Sequence, residues 1–122
     1  MDFGFKDLKV YKLAYELAME IFELSKSFPK EEKYSLTDQI RRSSRSVCAN
    51  LAEGYRKRSY PKNFVSKMTD CDAEASETIV WLDFAFDCNY ISEEQKDYLQ
   101  NKYAEVGKML GSMINNPEKF NR

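Results

Sequence analysis

Apolar residues recur at three- and four-residue spacing through four long segments of this 122-residue chain, and only short breaks separate the segments. Because each helical residue advances about 100° around the axis, such spacing collects the apolar side chains on one stripe of an α-helix. From Asp7 to about Phe28 the stripe is Leu8, Tyr11, Ala14, Leu17, Ala18, Ile21, Leu24 and Phe28. Pro29 and the charged run to Lys33 interrupt it, and Ser35 or Thr37 offers a capping oxygen for the next helix. That second helix runs to about Lys57 with Leu36, Ile40, Ser44, Val47, Leu51 and Gly54 inward. Ser59-Tyr60-Pro61 opens a third, to about Cys88, on Phe64, Met68, Cys71, Ala75, Ile79, Leu82 and Phe86. Asn89 suits a helix stop. Ser92-Glu-Glu-Gln95 then reads as a capping box for a fourth helix that carries Leu99, Val106, Leu110 and Met113 as far as Asn115-Asn116-Pro117.

No segment alternates with the two-residue period of a strand. Four helices of roughly 20 to 27 residues, each about 30 to 40 Å long, with short connections predict an all-α fold: an antiparallel up-down-up-down four-helix bundle. A chain of this length supports one core, so residues 1–122 are expected to form a single domain. The third helix departs from simple bundle logic. Ile79-Val-Trp-Leu82 and Phe84-Ala-Phe86 spread apolar groups around most of its circumference, so Trp81 and Phe84 call for cover beyond the bundle core. A homo-oligomer interface provides that cover, and the small and amide flank of the second helix (Gln39, Ser43, Ser46 and Asn50) offers it a close-packing surface.

The chain contains no histidine, which removes Ser-His-Asp and Cys-His catalysis, Cys/His zinc sites and the Glu-x-x-His motif of di-iron bundles. Ser43, Ser44 and Ser46 have no activating base at helical spacing, so an enzyme is not expected and no catalytic residue is assigned. Asp70, Glu74 and Glu77 share a helix face, but a face of carboxylates alone reads as solvated or salt-bridged, and neither a metal nor another cofactor is expected. Cys48, Cys71 and Cys88 are odd in number and widely spaced, which fits a reducing, cytoplasmic setting. Neither an export signal nor a membrane-spanning run is read in the sequence.

A net charge of −1 conceals a partition between helices. Residues 35–58 carry six cations against two carboxylates, a local balance of +4, and residues 59–88 carry two cations against six carboxylates, a local balance of −4. Arg41, Arg42, Arg45 and Arg56 fall on one side of the second helix, opposite Ile40, Val47 and Leu51. Four guanidiniums there can meet a row of phosphates, since each presents a planar fork of donors. The same groups can equally be satisfied by Asp38, by the acidic third helix, or across a subunit boundary. Two readings follow: an oligomeric scaffold for structured RNA or a ribonucleoprotein partner, and a protein-assembly module without a nucleic-acid role.

The string Tyr34-Ser-Leu36-Thr-Asp-Gln39-Ile40-Arg41-Arg42-Ser43-Ser44-Arg-Ser46-Val47-Cys-Ala49-Asn50-Leu51-Ala52-Glu53-Gly54 resembles the bacterial four-helix-bundle family associated with 23S ribosomal RNA intervening sequences, formerly labelled S23 ribosomal protein. The opening Phe5-Lys-Asp7-Leu8-Lys-Val10-Tyr11, Glu74-Ala-Ser-Glu77-Thr78, Trp81-Leu82, Tyr90-Ile91 and Gly107-Lys-Met109-Leu110 are similar to it as well. The resemblance implies an antiparallel four-helix bundle, a ring-like homopentamer and no known catalytic activity. It also implies kinship with the accessory variability protein of diversity-generating retroelements, a basic pentamer that works with reverse transcriptase and RNA. This chain departs from those basic relatives in its sequence pI of about 5.6, which confines any anion-binding surface to a local patch of arginines.

Overall fold

The computed structural model describes residues 2–120, and these form four α-helices: α1 (Lys9–Ser25), α2 (Leu36–Arg56), α3 (Pro61–Asp87) and α4 (Glu93–Asn115). Single turns of 3-10 helix at Gly4–Asp7, Lys30–Glu32 and Pro117–Phe120 complete the regular structure. Each helix packs on its two neighbours in the cycle α1, α2, α3, α4, and none packs along a diagonal. That is the up-down-up-down bundle the apolar period requires.

The helix ends follow local chemistry. Leu8 is extended (ψ 131°), which separates the Gly4–Asp7 turn from α1, so the first helix is shorter than its apolar stripe at both ends. Ser35 stands at the N-cap of α2, yet its hydroxyl caps nothing. Glu32 does the work from the preceding turn, its carboxylate accepting the Leu36 N–H at 3.2 Å. Pro61 occupies the first turn of α3, where its missing N–H costs nothing. At the other end Asn89 adopts a left-handed φ of 66°. Its N–H donates to the Phe86 carbonyl at 2.9 Å and that of Tyr90 to the Ala85 carbonyl at 2.8 Å, the paired closure that stops a helix cleanly. The capping box of α4 is complete: Gln95 N–H donates to Ser92 Oγ at 3.0 Å, and Ser92 N–H to Gln95 Oε1 at 2.8 Å.

The core is a continuous column of inward stripes, with Leu17, Ile21, Ile40, Val47, Leu51, Met68, Leu82, Val106 and Leu110 all sealed from solvent. The α2–α3 contact is the most extensive in the bundle. Small residues explain the close approach. Ser43, expected on an intersubunit surface, is instead fully buried here, 2.7 Å from Thr78 Oγ1. Each hydroxyl also has a backbone carbonyl within reach, Thr78 that of Glu74 at 2.9 Å and Ser43 that of Ile40 at 3.4 Å, so the shorter Thr78 bond favours Ser43 as the donor of the pair. The assignment of Ser43 to an oligomer interface is therefore corrected: its position on the helix points it at α3 of the same protomer.

Candidate nucleic-acid interface

The basic helix sits at a corner of the bundle, and its arginines divide between two sides. Arg41 turns towards α1, where its Nε–H donates to Ser25 Oγ at 2.7 Å and its guanidinium lies over the Phe22 ring, 4.8 Å from the centroid. Arg45, one turn on, lies over the same ring at 5.7 Å and is exposed, with no ion pair among the described residues. Lys26 Nζ, just past the end of α1, lies 4.9 Å from the same centroid, so Phe22 is a platform shared by three cations, two of them arginines about one helical turn apart on α2. Arg42 turns the other way, towards α3, and donates to Gln39 Oε1 at 2.9 Å and Glu77 Oε1 at 3.1 Å. The Arg42–Glu77 pair is half-exposed, so water screens it and it adds little stability.

Arg41, Arg42 and Arg45 line one open cleft of about 580 Å³ together with Lys33, Tyr34, Asp38 and Ser46. Tyr34 is 85% exposed, the most exposed large apolar side chain among the described residues, and Lys33 Nζ lies 5.2 Å from its ring centroid. Arg56 does not join them. As the last residue of α2 it stands roughly 16 Å further along the axis than Arg45, at about 1.5 Å per residue. Sequence reasoning therefore found three of the cleft's arginines and missed Lys33, Tyr34 and the Phe22 platform. Lys33-Tyr34 lay in a break between helices, where an exposed aromatic beside a cation was the available signal.

The residues expected at an oligomer interface separate in the same way. Gln39, Trp81 and Phe84 come together in a second cleft of about 390 Å³, floored by Leu36 and edged by Glu32, Ser35 and Cys88. Phe84 is 53% exposed, whereas Trp81 is half-buried against the core, with the two rings 6.0 Å apart. Trp81 Nε1–H is buried without an acceptor. Ser46 belongs to the arginine cleft, and Asn50 accepts from Lys67 Nζ at 3.4 Å on the α2–α3 side.

The acidic face of α3 is only partly neutralised within the protomer, since Asp70 is exposed and Glu74 Oε2 is buried without a hydrogen-bond partner. Glu77 meets Arg42, and Glu74 is half-buried, its carboxyl raised above the usual range first by burial and then by Glu77. Among the described residues no three His, Cys, Asp or Glu side chains converge as a metal site would require. Burial pushes the Cys48 thiol up to about 11 and that of Cys71 to about 12, which keeps both protonated and unreactive.

Fold and cleft together define a small helical-bundle protein with a basic, aromatic-edged surface patch. The chain belongs to the 23S rRNA-intervening sequence protein family, whose model matches residues 6–112. It is similar, at 33% identity, to a protein of unknown function from the S23 ribosomal protein family of Bacteroides thetaiotaomicron VPI-5482, known from a crystal structure at 1.70 Å resolution. The match covers 87% of this chain and 95% of that one, with a TM-score of 0.78. No curated protein matches the chain. No helix among the described residues is long and apolar enough to cross a membrane.

Proposed function

We propose that this chain is a non-enzymatic, homo-oligomeric scaffold that binds structured RNA, alone or within a ribonucleoprotein, through Arg41, Arg42 and Arg45, with Arg56 as an outlying contact. The observation that carries this reading is that three arginines line one open cleft beside an exposed tyrosine, Arg45 with no ion pair among the described residues and Arg42 in only a screened one. Guanidiniums fit phosphate oxygens, and a solvent-facing ring offers an unpaired base a stacking partner. Family membership supports the reading, since the family is described by its association with an rRNA insertion. The absence of histidine supports a role in binding rather than chemistry, and three free cysteines suit the cytoplasm.

Assembly follows from the second cleft. Exposed Phe84 and half-buried Trp81, with Gln39, form an apolar surface that a second copy covers, and a five-membered ring is the proposed closure. Phe84→Glu is a cleaner probe than a Trp81 variant, because Trp81 also packs on its own core. Sedimentation at micromolar concentration should give a mass near five chains for the wild type and a smaller one for Phe84→Glu at unchanged helicity. A monomeric wild type refutes the assembly.

The RNA test is a salt titration. Fluorescence anisotropy with a labelled hairpin RNA should give log Kd rising linearly with log salt, and Arg41→Ala with Arg45→Ala should reduce that slope by about 2, one per lost phosphate contact. No binding by the wild type at about 50 mM salt, where phosphate contacts are strongest, refutes it.

A further inference from the structure

The α1–α4 side of the bundle carries a different kind of surface. This is the least extensive helix contact in the molecule, and it leaves an open groove of about 620 Å³. Its floor is apolar: Leu24 and Leu99 lie at the base, with Met19 at 47% and Tyr98 at 45% exposure above them. Its α1 rim is acidic. Glu16, Glu20 and Glu23 stand at helical spacing along it, and the α4 rim offers only neutral Gln95 and Tyr98.

Among these carboxylates Glu23 has an ion pair, with Lys26 at 3.1 Å, whereas Glu20 feels only the more distant charge of Lys102. Glu20 Oε2 is sealed from water without a hydrogen-bond partner. Burial and the neighbouring Glu16 charge raise its carboxyl above the usual range, while Tyr98 and Lys102 only partly offset them. With one oxygen shielded and a like charge beside it, the Glu20 carboxyl is favoured in its ionised form by a cation arriving at its open oxygen, although water in the open groove screens part of the attraction.

We infer that the α1–α4 groove docks a Lys/Arg-bearing amphipathic helix from a protein partner, its apolar side on Met19, Leu24, Tyr98 and Leu99 and its cations on Glu16 and Glu20. The groove spans about 12 Å along α1 from Glu16 to Leu24, enough for anchors at i, i+4 and i+7 of a docked helix. Methionine on the floor suits such a partner, since its unbranched side chain adapts to varied apolar shapes. A second copy of this chain is a poorer occupant. Its basic helix, α2, turns its apolar stripe into its own core, so its cations arrive without the apolar anchors the floor needs. The groove is separate from the arginine cleft, so this inference stands or falls apart from RNA binding.

The test uses the full chain and a fluorescein-labelled Leu/Lys amphipathic peptide of about five helical turns, read by anisotropy at moderate salt. Glu16→Gln with Glu20→Gln should weaken binding by about tenfold, as should Tyr98→Ala, with helicity retained by circular dichroism. Glu93→Gln with Glu94→Gln, at the start of α4 and outside the groove, should leave the affinity unchanged, and a Leu/Glu peptide should not bind. Equal losses from both pairs of glutamate changes reduce the effect to general charge attraction and overturn the proposal. A change in sedimentation mass on Glu16→Gln with Glu20→Gln, at unaltered peptide affinity, assigns the groove to a second copy and overturns it as well. RNA affinity should not fall in the groove variants, whereas Arg41→Ala with Arg45→Ala should leave peptide affinity unchanged.

Discussion

Glycine 54 and glycine 111 both lie in helices, and both have negative φ, so replacement by alanine carries the same backbone gain at each. That gain is about 0.8 to 1 kcal/mol, from the lower entropy of the unfolded chain and the better helix propensity of alanine. What a new methyl meets is different. At Gly111 no heavy atom outside the local helix lies within 4 Å, so the gain is realised in full. At Gly54 the methyl overlaps the end of Met68, which is fully buried, and lies 3.0 Å from Lys67 Cβ. The Met68 methyl can swing aside, but Lys67 Cβ moves only with the α3 backbone. Overpacking of this kind costs about 1 to 3 kcal/mol. Gly54→Ala should therefore lose about 1 kcal/mol net and Gly111→Ala gain nearly 1, a separation of about 2 kcal/mol or about 8 °C in Tm for a chain this size. Urea and thermal unfolding, followed by far-UV circular dichroism at one fixed protein concentration, measure the difference without interference from assembly. If Gly54→Ala proves as stable as Gly111→Ala, the close α2–α3 approach inferred here is wrong.

Three further outcomes are expected. Ser43→Ala should cost about 1 kcal/mol, the net worth of one hydrogen bond, because Thr78 keeps its bond to the Glu74 carbonyl, while Ser43→Leu should cost about 1 to 3 kcal/mol more by overpacking. Equal stability of the two variants in urea contradicts the tight contact. Ellman's reagent should label Cys88 quickly in the Phe84→Glu protein, where the cleft it edges is open, label half-buried Cys48 more slowly, and reach Cys71 only after denaturation; rapid labelling of Cys71 in the native protein refutes its burial. The Glu32 carboxyl is held below its usual range first by the Tyr90 hydroxyl, at 2.8 Å, and then by the Leu36 N–H. Its contribution to stability is present above the ordinary carboxylate pKa and lost as pH falls through the lowered folded value, so Tyr90→Phe should move the acid-unfolding midpoint to higher pH. An unchanged midpoint removes the Tyr90–Glu32 bond as a source of acid stability.

The sequence by itself determined the four helices and their order, because amphipathic period, Pro61, the Ser92–Gln95 box and the Asn89 stop are all local signals that act within a few residues. It also determined the partition of charge, and with it the arginines from which a cleft is built. Tertiary structure decided which surface each residue serves. Ser43 and Gln39 are four residues apart on one flank of α2, yet the first is sealed against Thr78 and the second lines the Trp81–Phe84 cleft. A helical wheel gives a residue's angle about one axis, whereas burial depends on the distance and tilt of the neighbouring helix. The same limit hid the Phe22 platform, which lies on a different helix from the arginines it supports, and the acidic groove, whose rim and floor come from helices roughly 75 residues apart in the chain. Contacts between helices are set by how the whole bundle packs, and no stretch of sequence as short as one helix encodes them.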